Sequence, residues 1–256
     1  MPYLPRQDSV LYYEVHGHGA PVVLLHGVGG NHASWFYQIE AWSRNFQLIA
    51  VDARGFGNSS DVEGAGRSAF TDDLAHLLDE LGLARTALVA QSMGGGTAAD
   101  FACRHPSRVS ALVLADTLTW LAPPPDLAGA LAEARRAAAG LSQSERVLGA
   151  TFRRTRPALS ELYLQIASFN RYTFKTLAGE QARHAPDELA ATGIPICFVA
   201  GEEDVLFPPA LIAQTCRAVR GSNLICVPQA GHSAYFEAPE AFNREVGDWL
   251  RAHIGS

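Results

Sequence analysis

The chain has 256 residues, 48% of them hydrophobic and 18% charged, so it is too apolar for disorder and long enough to bury a core without disulfides or metals. Its 26 acids against 20 Lys and Arg give a net charge of −6, and no basic run exceeds the pairs Arg135-Arg136 and Arg153-Arg154, which argues against a nucleic-acid partner. No stretch nears the roughly 18 apolar residues of a membrane span, and the opening MPYLPRQDSVLYYEVHGHGA has no apolar core of a secretory signal.

The segment Val10 to Val15 precedes any helix and predicts an antiparallel edge strand or hairpin. Short, continuous apolar runs follow at Val22 to Leu25, Leu48 to Val51, Thr86 to Ala90, Ser110 to Ala115, Ile194 to Ala200 and Asn223 to Val227. Such runs fit strands buried on both faces. Between them, helical spacing appears at Ala33 to Arg44, Ser68 to Leu81, Met93 to His105, Pro209 to Val219 and Pro239 to His253. In the last, Phe242, Val246, Trp249 and Leu250 recur at three- and four-residue steps. Strand-helix alternation of this kind makes a mainly parallel sheet with helices on both faces.

The alternation breaks once, from Thr117 to Ala191, where Pro123-Pro124-Pro125 opens a stretch of short helical patterns, one begun by the capping box Ser142 to Glu145. A structureless loop of that length is improbable. The expected organisation is therefore an α/β core from residues 1–116 and 192–256, with 117–191 as an inserted helical cap. The four cysteines, Cys103, Cys197, Cys216 and Cys226, have no paired spacing and read as buried free thiols of a reducing compartment, the cytoplasm.

Most of the chemistry gathers at strand ends. In Leu88-Val-Ala-Gln-Ser-Met-Gly-Gly-Gly96 a strand runs straight into a helix, with Ser92 on the turn. A tight turn there strains the serine backbone, demands small neighbours such as Ala90 and Gly94, and frees the Met93 N–H at a helix N-terminus for an oxyanion. Read alone, Ser92 has a helix N-cap as its alternative, lesser reading. Asp204, in Gly201-Glu-Glu-Asp, and His232, in Ala-Gly-His-Ser, follow the last two strands, and the carboxyl ends of parallel strands are where such sheets assemble sites. A serine nucleophile needs a base, His232, and the base needs an acid to fix its tautomer, Asp204. Asp116, ending an earlier strand, is the alternative acid. The glycine loop His26-Gly-Val-Gly-Gly30 allows close approach to a ligand, with the Val28 N–H as second oxyanion donor and His26 as a loop-shaping residue. Asp52 and Arg54 read as structural partners.

With its HGVGG loop, DARGFGNS loop, QSMGGG elbow, GEEDVLFPP and AGHSAYFEAPEAFN in order, the chain resembles the α/β-hydrolase superfamily from about Val10 to Ile254. Serine members of that superfamily are esterases, lactonases, C–C bond hydrolases, thioesterases and perhydrolases. Haloalkane dehalogenases and epoxide hydrolases carry Asp at the elbow, so Ser92 sets this chain apart from them. The resemblance is closest to 3-oxoadipate enol-lactonase relatives and small carboxylesterases. It implies hydrolysis of a small ester or lactone through an acyl-enzyme, with no metal or organic cofactor. A C–C hydrolase of dienoate intermediates and a hydrolase-like signal receptor share the same motifs. The aromatic inventory of the cap nominates Trp120 and Tyr163 as substrate-binding residues, and Arg153, Arg154, Arg156 or Arg171 as a clamp for a substrate carboxylate.

Overall fold

The computed structural model describes residues 2–6 and 9–255. Among these residues the strands are β1 (Tyr3–Pro5), β2 (Val10–His16), β3 (Ala20–Leu25), β4 (Phe46–Val51), β5 (Thr86–Gln91), β6 (Val109–Ala115), β7 (Ile196–Gly201) and β8 (Asn223–Val227). They form one sheet in the order β1-β2-β4-β3-β5-β6-β7-β8. The first two pairings, β1 with β2 and β2 with β4, are antiparallel, and every later one is parallel.

Side chains alternate across a strand, so each apolar run feeds two cores at once. Val23, Leu25, Leu88, Ala90, Leu112, Leu114 and Phe198 face one side. Val22, Leu24, Ala87, Val89, Ala111, Val113 and Val199 face the other. The helices α1 (Phe36–Trp42), α2 (Phe70–Glu80) and α3 (Met93–Arg104) follow β3, β4 and β5 in turn. After β6 come α4 (Pro125–Ala138), α5 (Gln143–Val147), α6 (Ala150–Thr155), α7 (Pro157–Ser168) and α8 (Pro186–Ala191), all before β7. Then α9 (Pro209–Ala218) joins β7 to β8, and α10 (Ala234–Glu237) and α11 (Pro239–Ile254) end the chain. Helices α2, α3 and α9 cover the first core, and α1 and α11 the second.

Strand β3 lies between β4 and β5, so the chain winds outward in both directions from there. The loops after β3 and β5 open at that reversal, the place where parallel sheets leave a crevice at their carboxyl ends. Helix α3 starts hard against β3. A Cβ at Gly94 would sit 2.4 Å from the Leu25 carbonyl oxygen, so only glycine permits this approach.

Several expectations need correction. The strand β1 was not anticipated, because three residues ending in a proline carry too little pattern to read. The helix expected from Ala33 begins as a 3-10 turn, His32–Trp35, capped by the Asn31 side chain, and turns α-helical only at Phe36. Of the cysteines only Cys197 and Cys216 are buried, whereas Cys103 is half-buried and Cys226 exposed on the edge strand β8. Asp52 and Arg54 do have structural partners, but different ones. Asp52 accepts from the His32 and Asn58 backbone N–H groups at 2.6 and 2.8 Å and from the His32 ring at 2.8 Å.

Arg54, 2% exposed, forks onto Asp73 at 2.6 and 2.8 Å and lies 3.7 Å from Asp61. Removing one member of a buried pair strands the other charge in low dielectric. Arg54→Met is therefore expected to lower unfolding stability by about 3 kcal/mol, read as a lower urea midpoint at unchanged slope; a shift within error would mean that Arg6, 3.1 Å from Asp73, suffices alone.

Candidate active site

The turn from β5 into α3 puts Ser92 at φ 48° and ψ −114°, a left-handed conformation that a serine adopts only when its surroundings impose it. The imposing contacts are visible. The Ser92 N–H donates to Ala115 O at 3.0 Å, and its carbonyl accepts from the hydroxyls of Thr117 and Thr119 at 2.7 and 2.9 Å. The side chain keeps partial exposure.

His232 Nε2 lies 2.8 Å from Ser92 Oγ, and its Nδ1–H donates to Asp204 Oδ2 at 2.9 Å. The other Asp204 oxygen accepts from the Leu206 and Phe207 N–H groups at 2.8 and 3.1 Å, so the carboxylate is held from both ends. The Phe207 ring stands 5.7 Å from the imidazole. The structure thus brings Ser92, His232 and Asp204 into one hydrogen-bonded chain. Asp116 lies outside it. At φ 49° it accepts from Gly201 N–H at 2.7 Å and Ala234 N–H at 3.1 Å, bracing the strand end before Asp204 and the turn after His232. Complete burial, reinforced by the Asp204 charge, pushes its carboxyl well above the usual carboxylate range.

The glycine loop lies against the elbow, since a Cβ at Gly27 would meet Ser92 Cβ at 2.9 Å. His26 Nδ1–H donates to Gly27 O at 2.7 Å while its Nε2 accepts from Ala53 N–H at 3.0 Å, which fixes one neutral tautomer. Burial pushes the ring pKa down, so it stays neutral. Gly27 O also accepts from Gly30 N–H at 3.0 Å. In a trans peptide the carbonyl and the following N–H point in opposite directions, so anchoring Gly27 O aims the Val28 N–H away from His26. Among the described residues neither the Val28 nor the Met93 N–H enters a loop or side-chain hydrogen bond. The side chains of both pack with Phe56, Phe70 and Leu177.

The nominated cap aromatics are both buried. Trp120 packs beside Phe198 with its indole N–H unpartnered. The Tyr163 hydroxyl would lie 2.8 Å from a Cβ at Gly29 and accepts from the Ser233 hydroxyl at 2.8 Å, touching both loops that flank Ser92. Burial pushes its phenol up to about 12. The arginines are engaged elsewhere. Arg153 donates to Leu148 O, Arg154 to the Thr151 hydroxyl and Arg171 to Asp61 O, while Arg156 is exposed. Among the described residues no group of three or more His, Cys, Asp and Glu could hold a metal ion, and no helix is long and apolar enough to cross a membrane.

Two residues at the site escaped the sequence reading. Gln91, the last residue of β5, donates from Nε2 to His232 O at 2.7 Å and fills the space that glycine leaves at position 27. A polar residue ending an otherwise apolar buried strand was the available signal. Glu237 is 9% exposed, and its carboxylate accepts from the N–H groups of Gly149, Gly231 and Ser233 at 2.7, 3.0 and 3.0 Å. It joins the start of α6 to both sides of His232, a role nothing in its local sequence announces.

The model of the alpha/beta hydrolase fold family matches residues 20–239. The AB hydrolase superfamily protein YisY of Bacillus subtilis is 28% identical over 266 residues, covering 96% of this chain and 98% of that protein. A thermophilic esterase from Thermogutta terrifontis, solved with malate bound, superposes with a TM-score of 0.80 at 27% identity over 96% of this chain and 94% of that one. Est816, described as an N-acyl homoserine lactone degrading enzyme, superposes with a TM-score of 0.81 at 26% identity over 97% of this chain and all of that one.

Burial raises the Glu237 pKa from 4.5 to about 7 against its three N–H donors, with the Asp204 charge adding to the rise. The folded state therefore binds this proton more tightly than the unfolded chain. Its contribution to stability is complete below pH 4.5 and is lost as pH rises through about 7, a change on the order of 3 kcal/mol. Thermal melts from pH 4.5 to 8 are expected to show this loss in the native protein and a flatter profile in Glu237→Gln. Parallel profiles would place the titration elsewhere.

Proposed function

Because the chain belongs to the alpha/beta hydrolase fold family, we propose that it is a serine hydrolase cleaving a small, neutral carboxylic ester or lactone through an acyl-enzyme. The observation that carries the reading is the continuous chain from Ser92 Oγ through His232 to Asp204, with both contacts under 3 Å. Ser92 Oγ attacks the carbonyl carbon as its proton passes to His232 Nε2. Charge developing on the carbonyl oxygen is met by the Val28 and Met93 N–H groups and by the N-terminus of α3. Asp204 stabilises the imidazolium so formed. The tetrahedral species collapses when the bond to the leaving oxygen breaks and His232 protonates that oxygen. Water then gives a proton to His232 and attacks the acyl carbon; the acyl–Oγ bond breaks, Ser92 recovers its proton, and the carboxylic acid departs.

The segment 117–191 serves as a cap over this site, with Trp120 and Tyr163 as parts of its packing and of the wall beside Gly29 rather than as freely exposed substrate contacts. The neutral substrate follows from the arginines. Those nominated as carboxylate clamps are exposed or already bonded to the chain itself, which favours a plain ester or lactone over a dienoate or a carboxylate-bearing enol-lactone. The esterase and the lactone-degrading enzyme among the structural neighbours support an ester or lactone substrate.

The direct test is release of nitrophenol from p-nitrophenyl acetate and butyrate by the native protein and by Ser92→Ala. A stoichiometric burst or steady turnover is expected from the native chain, falling by about three orders of magnitude or more in the variant, whose circular dichroism is unchanged. Equal turnover by the two proteins would overturn the reading.

A further inference from the structure

The segment that follows α7 reaches across to the glycine loop through a single side chain. Asn170 Nδ2 donates to Gly30 O at 3.0 Å and, at a longer 3.4 Å, to Val28 O. Its Oδ1 accepts from Gly57 N–H at 3.0 Å and from Asn31 Nδ2 at 3.2 Å. The same Asn31 nitrogen also donates to Ile166 O at 3.1 Å, tying the last turn of α7 to the start of the His32–Trp35 turn. Two separate stretches of chain converge on the Asn170 amide: the glycine loop with Asn31 at its end, and the loop after β4.

The geometry points to Asn170 as a positioning residue for the oxyanion site, supplied by the inserted segment rather than by the core. This inference rests on the proposed serine mechanism. His26 anchors the carbonyl of the Gly27–Val28 peptide, which aims the Val28 N–H. Among the described residues no core donor holds the carbonyls of Val28 and Gly30 in the same way. Asn170 does so from above, and an oxyanion donor is useful only while its direction is held. Side-chain neutrality matters here. The amide offers N–H to two carbonyls and a carbonyl oxygen to an N–H and an amide, so an aspartate in its place would turn an acceptor toward Val28 O and Gly30 O while keeping the shape and the Gly57 contact.

The test compares Asn170→Asp, Asn170→Ala and, as a docking control, Tyr172→Phe, which removes the 3.1 Å bond to Asp61 on the same segment without touching the glycine loop. Steady-state hydrolysis of p-nitrophenyl butyrate and inhibition by butaneboronic acid, a tetrahedral mimic, are measured for each. For Asn170→Asp, kcat is expected to fall about tenfold or more with KM nearly constant. Its boronate affinity falls in proportion, and Tyr172→Phe stays near native. An unchanged kcat in Asn170→Asp, an equal loss in Tyr172→Phe, or a rise in KM at constant kcat would overturn the role. Should Asn170→Ala fail to fold, Asn170→Asp alone decides. A native protein that neither turns over the ester nor binds the boronate would instead overturn the serine mechanism, a result separable from the first three.

Discussion

Everything at the site depends on Ser92 being held in a backbone conformation it would not choose. A non-glycine residue at φ 48° and ψ −114° costs on the order of 1–3 kcal/mol and persists only where neighbours over-determine it. Those neighbours come from three directions. Strand β6 takes the Ser92 N–H, the two threonines that open the inserted segment take its carbonyl, and β3 presses against Gly94 so closely that no side chain fits. A Cβ at Gly95 would likewise collide with Thr117 at 2.4 Å. The elbow is therefore built jointly by the sheet and by the first residues beyond it.

The histidine side is organised by acids rather than by packing alone. Asp116, Asp204 and Glu237 are all buried around the turn that carries His232, and all accept hydrogen bonds from backbone N–H groups of that turn or of the strand and loop beside it. Three ionised carboxylates so close together would repel each other in a low dielectric. Burial resolves this by pushing Asp116 and Glu237 toward their protonated forms, which leaves Asp204 facing the imidazole. The acid that bonds His232 is thus distinguished from its neighbours by position and by what faces it, not by residue type.

The sheet and its helices were legible because their signal is local: β3 to β8 announce themselves as continuous apolar runs, and the elbow as a serine between small residues at a strand end. The convergence of Ser92, Asp204 and His232 could be anticipated because all three stand at carboxyl ends of parallel strands, which topology gathers in one place. What escaped is long-range and polar. Gln91, Glu237 and Asn170 bond to backbone groups far away in sequence, and no periodicity encodes such a partner. The sequence also suggests Asp52 and Arg54 as structural partners. In the fold their side chains bond instead to His32 and Asp73, partners that the local sequence does not encode.

The inserted segment is fastened at its base and over the site at once, which limits how it can move. Its ends clasp each other through Ala122 N–H to His184 O at 2.9 Å and His184 N–H to Trp120 O at 2.8 Å, and they rest on α3 through His184 to Asp100 at 3.0 Å and Gln181 to Thr97 at 2.7 Å. Further along, Glu237 grips Gly149 beside the histidine, and Asn170 grips the glycine loop on the other flank. A rigid swing of the whole segment would break the bonds to α3, to Glu237 and to the glycine loop together and leave the Glu237 acceptor short of a donor in a buried setting, where an unmet polar group costs about 1–3 kcal/mol. Displacement of exposed stretches that bond chiefly to themselves, such as the α4–α5 connection or the Thr173–Thr176 turn, breaks few of these bonds. Local movement of those stretches leaves the bonds to α3, to Glu237 and to the glycine loop intact.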